Sequence, residues 1–248
     1  MTKPIALITG ASSGIGRATA RTFLTGGYTT IVTARRVEAL EETLDGHSNG
    51  FAIPADMTKP EEVQALFAQI KKDHGRLDVT FNNAGAGVPG KSVEELSWEE
   101  WRHVMGVNID GVFLSTKYAF ELMRDQDPQG GRIINNGSVS SYVPRPGSAP
   151  YTASKHAVQG LTRSTSLDGR KYNIACGQID IGNAASEMTV KMASGPGVPQ
   201  ADGSMSQEPV MDVQHVADAV LNMANLPLDA NVLFMTIMAT KMPFVGRG

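Results

Sequence analysis

Two side chains four residues apart, Tyr151 and Lys155, are the pair in this sequence best suited to moving a proton. On a helix such positions lie one above the other on one face, so a lysine ammonium can stand beside a phenol and stabilise its ionised form. Pro150 fits a first helical turn, where a missing N–H costs nothing, and Ser148 is placed to cap the exposed donors. The pair is therefore expected at a helix entrance, where chains meet ligands. Ser138 follows an apolar run, Arg132 to Asn136, that reads as a buried strand, and it precedes Tyr151 by 13 residues of loop and turn. That length can fold the serine back toward the tyrosine, so that a hydroxyl, a phenol and an amine converge.

The chain has 248 residues, about the length of one α/β domain. Hydrophobic residues at 41% and charged residues at 19% exclude disordered and fibrous classes. A net charge of −3 leaves no basic face for nucleic acid or an anionic membrane, and no stretch approaches the roughly 20 apolar residues of a membrane span. A single cysteine, Cys176, allows no internal disulfide and fits a reducing cytoplasm. The first strand follows the start of the chain with no charged leader, so a soluble, unprocessed, cytoplasmic protein is expected. The histidines, His47, His74, His103, His156 and His215, show no metal-ligand spacing, and no metal is expected.

The elements that must position the proton-moving residues alternate between strands and helices. Pro4 to Thr9 is an apolar strand, Gly10-Ala-Ser-Ser-Gly14-Ile-Gly16 a glycine turn, and Arg17 to Leu24 a helix. Amides at such a helix start suit a pyrophosphate, although the spacing is not Gly-x-Gly-x-x-Gly and a purely structural turn has the same residues. A second strand, Thr29 to Ala34, ends where a dinucleotide site selects the adenosine ribose. No carboxylate stands there. Arg35 and Arg36 follow instead, either as a clamp for a 2′-phosphate or as solvated residues before a helix over 37–44.

The rhythm continues with a strand over 51–55, Asp56-Met57, a helix from Pro60 to His74, and a strand over 77–81 ending in Asn82-Asn83-Ala84-Gly85. Small residues and amides at a strand's carboxyl end suit a ligand in an open parallel sheet, and equally suit an ordinary turn. Trp98 to Met123 reads as helical with a break near Gly106. It contains Asn108, either a hydrogen-bonding residue or a solvated helix position. A helix over 152–167, a sixth strand over 173–179, a last helix over 213–226 and a seventh strand over 232–238 complete the pattern. Residues 183–208 interrupt it with glycines, prolines and methionines, including Met188, Met192 and Met205, and Met211 lies close by. This segment is expected to be a flexible lid over a substrate or a mobile surface loop.

Taken together these residues resemble the short-chain dehydrogenase/reductase family over nearly the whole chain. Thr9 to Gly16 looks like its cofactor turn, which would bring Gly10, Ser12, Ser13, Gly14 and Ile15 to the phosphates. Asn82 to Gly85 looks like its Asn-Asn-Ala-Gly motif, with Asn83, Ala84 and Gly85 beside the cofactor. Asn108, Ser138, Tyr151 and Lys155 match its catalytic tetrad in order and spacing. Asp56, followed by Met57, falls where the family contacts adenine, and Arg35 marks its NADP-preferring branch. The chain departs from the family after the sixth strand, where Ile181-Gly182 and Ser186 stand for Pro-Gly and threonine, and its C-terminal strand lacks Asp-Gly-Gly.

The resemblance implies a doubly wound Rossmann-type fold with a seven-stranded parallel sheet. It implies NADP(H), with NAD(H) also possible, and reversible hydride transfer between nicotinamide and a carbonyl or secondary alcohol, a ketone or 3-oxoacyl compound by expectation. Tyr151 would be general acid and base, Lys155 its cationic partner, Ser138 a donor to the substrate oxygen, and Asn108 the holder of a relay water. Rival readings are an NAD(H)-dependent alcohol, polyol or sugar dehydrogenase and a non-catalytic cofactor-binding sensor. The family also implies a homotetramer or homodimer built through the helices over 109–123 and 152–167.

Overall fold

Every residue of β1 (Ile5–Thr9) is buried, the pattern of a strand covered by helices on both faces. The computed structural model describes residues 3–186, 189, 195 and 197–245. Its strands β1, β2 (Thr29–Thr33), β3 (Gly50–Ala52), β4 (Val79–Asn82), β5 (Gly131–Asn136), β6 (Ile174–Ile181) and β9 (Phe234–Ile237) form one parallel sheet in the order β3-β2-β1-β4-β5-β6-β9. A separate antiparallel pair joins β7 (Val198–Pro199) and β8 (Met205–Ser206). The order reverses between β1 and β4, so their carboxyl ends diverge and leave a crevice there.

Alternation along β1 divides the core. Ala6 and Ile8 join Phe23 of α1 (Gly14–Thr25) and Val216 and Val220 of α7 (Val213–Ala224) on one face. Ile5 and Leu7 join Leu66 and Ile70 of α3 (Pro60–His74) and Ala119 and Met123 of α5 (Gly111–Asp125) on the other. This is the seven-stranded Rossmann-type architecture the sequence implies. The boundaries of α2 (Val37–Leu44) and α3 fall where periodicity places them.

Three local expectations are corrected. The segment expected to break near Gly106 does not break. α4 (Trp98–Met105) runs through a π-helical turn, Gly106–Asp110, into α5, and the flanking dihedrals stay right-handed helical. Ser148 precedes α6 (Ala149–Gly169), but its hydroxyl does not cap the helix. It donates to the Arg145 carbonyl at 2.6 Å and contacts the Thr152 hydroxyl at 2.9 Å, closing a local turn that competes with the cap. β6 runs two residues beyond Ile179, because Ile181, where a proline was expected from the family, pairs with Ile237 of β9.

The 183–208 segment is tied down at its described ends. Ala184 bridges to Met211, while Asn183 and Glu208 are buried. Met205 is exposed and Met211 packs against the core; Met188 and Met192 lie outside the described residues.

Candidate functional site

The glycine turn is built around a backbone that only glycine adopts without strain. Gly10 has φ +63°, and a Cβ there would stand 2.7 Å from Ala84 Cα. The turn delivers the N-terminus of α1 with its first amides open, since Ser13, the N-cap residue, makes no side-chain hydrogen bond to them. Asn83 then braces the turn, its Nδ2 donating to the carbonyls of Thr9 and Gly10 at 3.0 and 3.2 Å. Thr9 Oγ1 accepts in return from the amides of Asn83 and Ala84 at 2.9 and 3.0 Å.

From this brace the hydrogen bonds run to the proton-moving pair. Asn136 Nδ2 donates to Asn83 Oδ1 at 2.9 Å, and the Asn136 carbonyl accepts from Lys155 Nζ at 2.7 Å. Lys155 is buried, with its Nζ 5.5 Å from the centroid of the Tyr151 ring. Both sit in the first two turns of α6, and the Tyr151 hydroxyl makes no hydrogen bond among the described residues.

A cleft of about 590 Å³ opens over these elements. Its walls include Gly10, Ser12, Ser13, Gly14 and Ile15 of the turn, Arg35 after β2, and Asp56 and Met57 after β3. Asn83, Ala84 and Gly85 after β4, Tyr151 and Lys155 of α6, and Gly182 after β6 complete the residues singled out from the sequence. Ser138 and Asn108 are buried beside the cleft. Ser138 Oγ accepts from the Ser140 amide at 3.1 Å. Asn108, in the π-helical turn, accepts from the Ala86 amide at 2.7 Å and donates to the Ala86 carbonyl and Ser154 Oγ at 3.0 Å each. A π-helical turn at a ligand cleft is a frequent functional association.

At the far end of the cleft Arg35 and Arg36 are exposed, and neither side chain makes an ion pair or hydrogen bond among the described residues. Burial alone would raise the Asp56 carboxyl. The amide and hydroxyl of Thr58, with Arg35 and Lys59 nearby, hold it below the ordinary aspartate range.

Sequence reasoning passed over several contributors. Asn136, Gly137, His103, Val107 and Thr189 line the cleft, and Asp180 lies behind Ser138, donated to by its amide at 3.1 Å. A carboxylate inside the apolar strand over 173–179 and its continuation was the one available signal for Asp180. Ser186 lines the cleft where the family threonine was sought, and a Cβ on Gly14 would stand 3.2 Å from its Cβ. Among the described residues no cluster of three potential metal ligands occurs, and no helix is long and apolar enough to cross a membrane.

The short chain dehydrogenase family model matches residues 4–196, and the chain belongs to that family. It is 38% identical over 182 residues to a 3beta-hydroxysteroid dehydrogenase of Mediterraneibacter gnavus, an alignment covering 71% of this chain and 64% of that one. The chain thus spans less than two thirds of that relative. Among solved structures, the closed form of a serine dehydrogenase complexed with NADP+ superposes with a TM-score of 0.85 at 25% identity, covering 98% of this chain and 97% of that one. An alcohol dehydrogenase from the archaeon Thermococcus sibiricus, complexed with 5-hydroxy-NADP, gives 0.81 at 26%, covering 98% and 99%.

Proposed function

We propose that the protein is an NADP(H)-dependent oxidoreductase that interconverts a carbonyl compound, of ketone or 3-oxoacyl type, and a secondary alcohol. The observation that carries this reading is the hydrogen-bonded line from the glycine turn through Asn83 and Asn136 to Lys155, which places Tyr151 in the same cleft as the open α1 amides.

The cleft fits a dinucleotide. Open amides and the α1 dipole favour a pyrophosphate, and Gly10 leaves room for the close approach. Asp56 and Met57 would flank the adenine, Asn83, Ala84 and Gly85 the adjoining ribose, and Gly182 the nicotinamide end. Arg35 and the neighbouring Arg36 have the charge to hold a 2′-phosphate, which favours NADP(H); NAD(H) remains a weaker alternative. The bound nicotinamide supplies or accepts the hydride.

The chain's own residues handle the proton and the oxygen. In reduction Tyr151 gives its phenolic proton to the oxygen of the substrate carbonyl, and in oxidation its phenolate takes that proton back. Lys155, held by Asn136, sets a positive charge beside the Tyr151 ring, where negative charge develops as the proton moves. Ser138 donates to the substrate oxygen and orients it. Asn108 would contribute a relay water beside Lys155, with its side chain fixed by Ala86 and Ser154. The chain would act as one unit with 183–208 as lid, in the cytoplasm, as a homodimer or homotetramer through α5 and α6, where Phe113 and Leu167 are exposed.

The test follows nicotinamide absorbance with NADPH and a panel of ketones, 3-oxo esters and secondary alcohols. Turnover by the wild type and its loss in Tyr151→Phe support the reading. Equal turnover by both sinks the mechanism, and tight NADPH binding with no turnover favours a sensor instead.

A further inference from the structure

We propose that Asp180 is a positioning residue for this site. Its buried carboxylate fixes the Gly137–Ser138 backbone, from which Ser138 meets the substrate oxygen. The inference rests on the roles given to Ser138, Tyr151 and Lys155 above.

Asp180 lies on β6 with no exposed surface, and no cation among the described residues is within ion-pair distance. A lone buried carboxylate persists only where hydrogen bonds replace its water. Here the donors are neutral. Oδ1 accepts from the Ser138 amide at 3.1 Å, Gln178 Nε2 at 2.6 Å and Ser141 Oγ at 3.5 Å. Oδ2 accepts from the Tyr142 hydroxyl at 2.9 Å. Three of these four donors belong to the segment that follows β5. Shifting that segment would strip the anion of its donors, so the anion resists the shift.

The fit against the backbone is close. A Cβ on Gly137 would come to 2.1 Å from Asp180 Oδ1, so the carboxylate lies flush against the peptide joining Asn136 to Ser138. Its own position is fixed from behind. Thr162 Oγ1 contacts Gln178 Oε1 at 2.9 Å and receives Asn135 Nδ2 at 2.9 Å, and Asn82 Nδ2 donates to Asn135 Oδ1 at 2.8 Å. Asp180 therefore ends a buried line of polar contacts that crosses from β4 through β5 and α6 to β6. The orientation of Gln178 leaves its Nε2 no acceptor in that line except the carboxylate.

An asparagine at 180 keeps the shape and removes one acceptor. The Tyr142 phenol can reverse and accept from the new amide, while the Asn carbonyl oxygen still accepts from the Ser138 and Gln178 N–H groups, now without the charge. Asp180→Asn is therefore expected to fold while holding Ser138 less firmly.

The test uses the full chain with NADPH and ethyl acetoacetate, with Asp180→Asn and Ser138→Ala made singly and together. Asp180→Asn is expected to lower kcat by about 5- to 10-fold, the difference between a charge-assisted and a neutral hydrogen bond at the Ser138 amide, with the KM for NADPH moving less than about threefold. In the Ser138→Ala background it should cost less than about threefold more, because the hydroxyl it aims is gone. The same loss in both backgrounds overturns the proposal. Amide hydrogen exchange with NADPH bound gives a readout independent of turnover. Peptides over 136–142 should exchange about tenfold faster in Asp180→Asn, and more modestly faster in Tyr142→Phe, while β1 to β3 stay unchanged. Unaltered exchange over 136–142 in both variants overturns it as well. Wild type that reduces no carbonyl, or Tyr151→Phe that matches wild type, removes the functional reading alone, and the exchange result still decides the role of Asp180.

Discussion

Lys155 Nζ donates to the carbonyl oxygen of Asn136, the last residue of β5, at 2.7 Å. The bond ties the charge beside Tyr151 to the sheet rather than to the helix that carries both residues. The Lys155 side chain is buried, and this carbonyl is the acceptor that directs its ammonium among the described residues. Lys155→Met should therefore do two things: remove the cation beside the Tyr151 ring and leave the carbonyl without its donor. The expected result is a loss of at least about 100-fold in kcat, within the range of general acid–base contributions. Lys155→Arg should retain more activity than Lys155→Met, since the charge persists while the geometry changes. Steady-state kinetics on both variants checks this, and equal activity in the two would remove charge from the account.

Arg35 bears on the choice of cofactor. It is exposed after β2, lines the cleft and makes no ion pair or side-chain hydrogen bond among the described residues, so its guanidinium is open to an incoming phosphate. Arg35→Asp replaces an attractive charge with a repulsive one. NADPH affinity should fall by about 10- to 100-fold, as expected for a charge-assisted contact, while NADH affinity should change by less than about threefold because it lacks the 2′-phosphate. Fluorescence titration with both cofactors measures the two changes. A parallel fall in both affinities would place Arg35 outside phosphate recognition.

Alternation of apolar strands and amphipathic helices made the sheet and its crevice legible, because burial on two faces leaves runs such as Ile5 to Ile8 that few other structures require. Turn residues gave the open helix start at Gly14 for the same local reason. The supports behind the site were less visible, since they are long-range pairings of ordinary residue types. Asn136 reads as the end of a strand, yet its two polar groups meet Asn83 and Lys155 from distant segments. Asp180 reads as an interruption in an apolar run until its donors after β5 are seen. The π-helical turn at Asn108 was masked by residues that also suit an α-helix, and Gly106 was the only mark of irregularity. The misread cap at Ser148 shows the same limit, because a hydroxyl that can cap a helix can also close a turn with Arg145.

Asp56 gives the apoprotein a pH-dependent signature. Burial works to raise its pKa, but Thr58, through its amide at 2.9 Å and its hydroxyl at 2.8 Å, prevails together with Arg35 and Lys59, and the folded value lies below the unfolded one. A carboxyl depressed on folding stabilises the native state above its unfolded pKa, near 4, and that contribution is lost as pH falls toward the folded value. Wild type should thus be more stable than Asp56→Asn at neutral pH, with the gap closing below about pH 4 as the carboxyl takes up its proton. Glu62 is also held low, by the Asp56 amide first and by Lys59, and the Asp56 charge opposes that shift, so Asp56→Asn deepens it. Urea unfolding from pH 7 down to about pH 3 measures the gap, and a difference that stays constant across that range would refute a depressed carboxyl at Asp56.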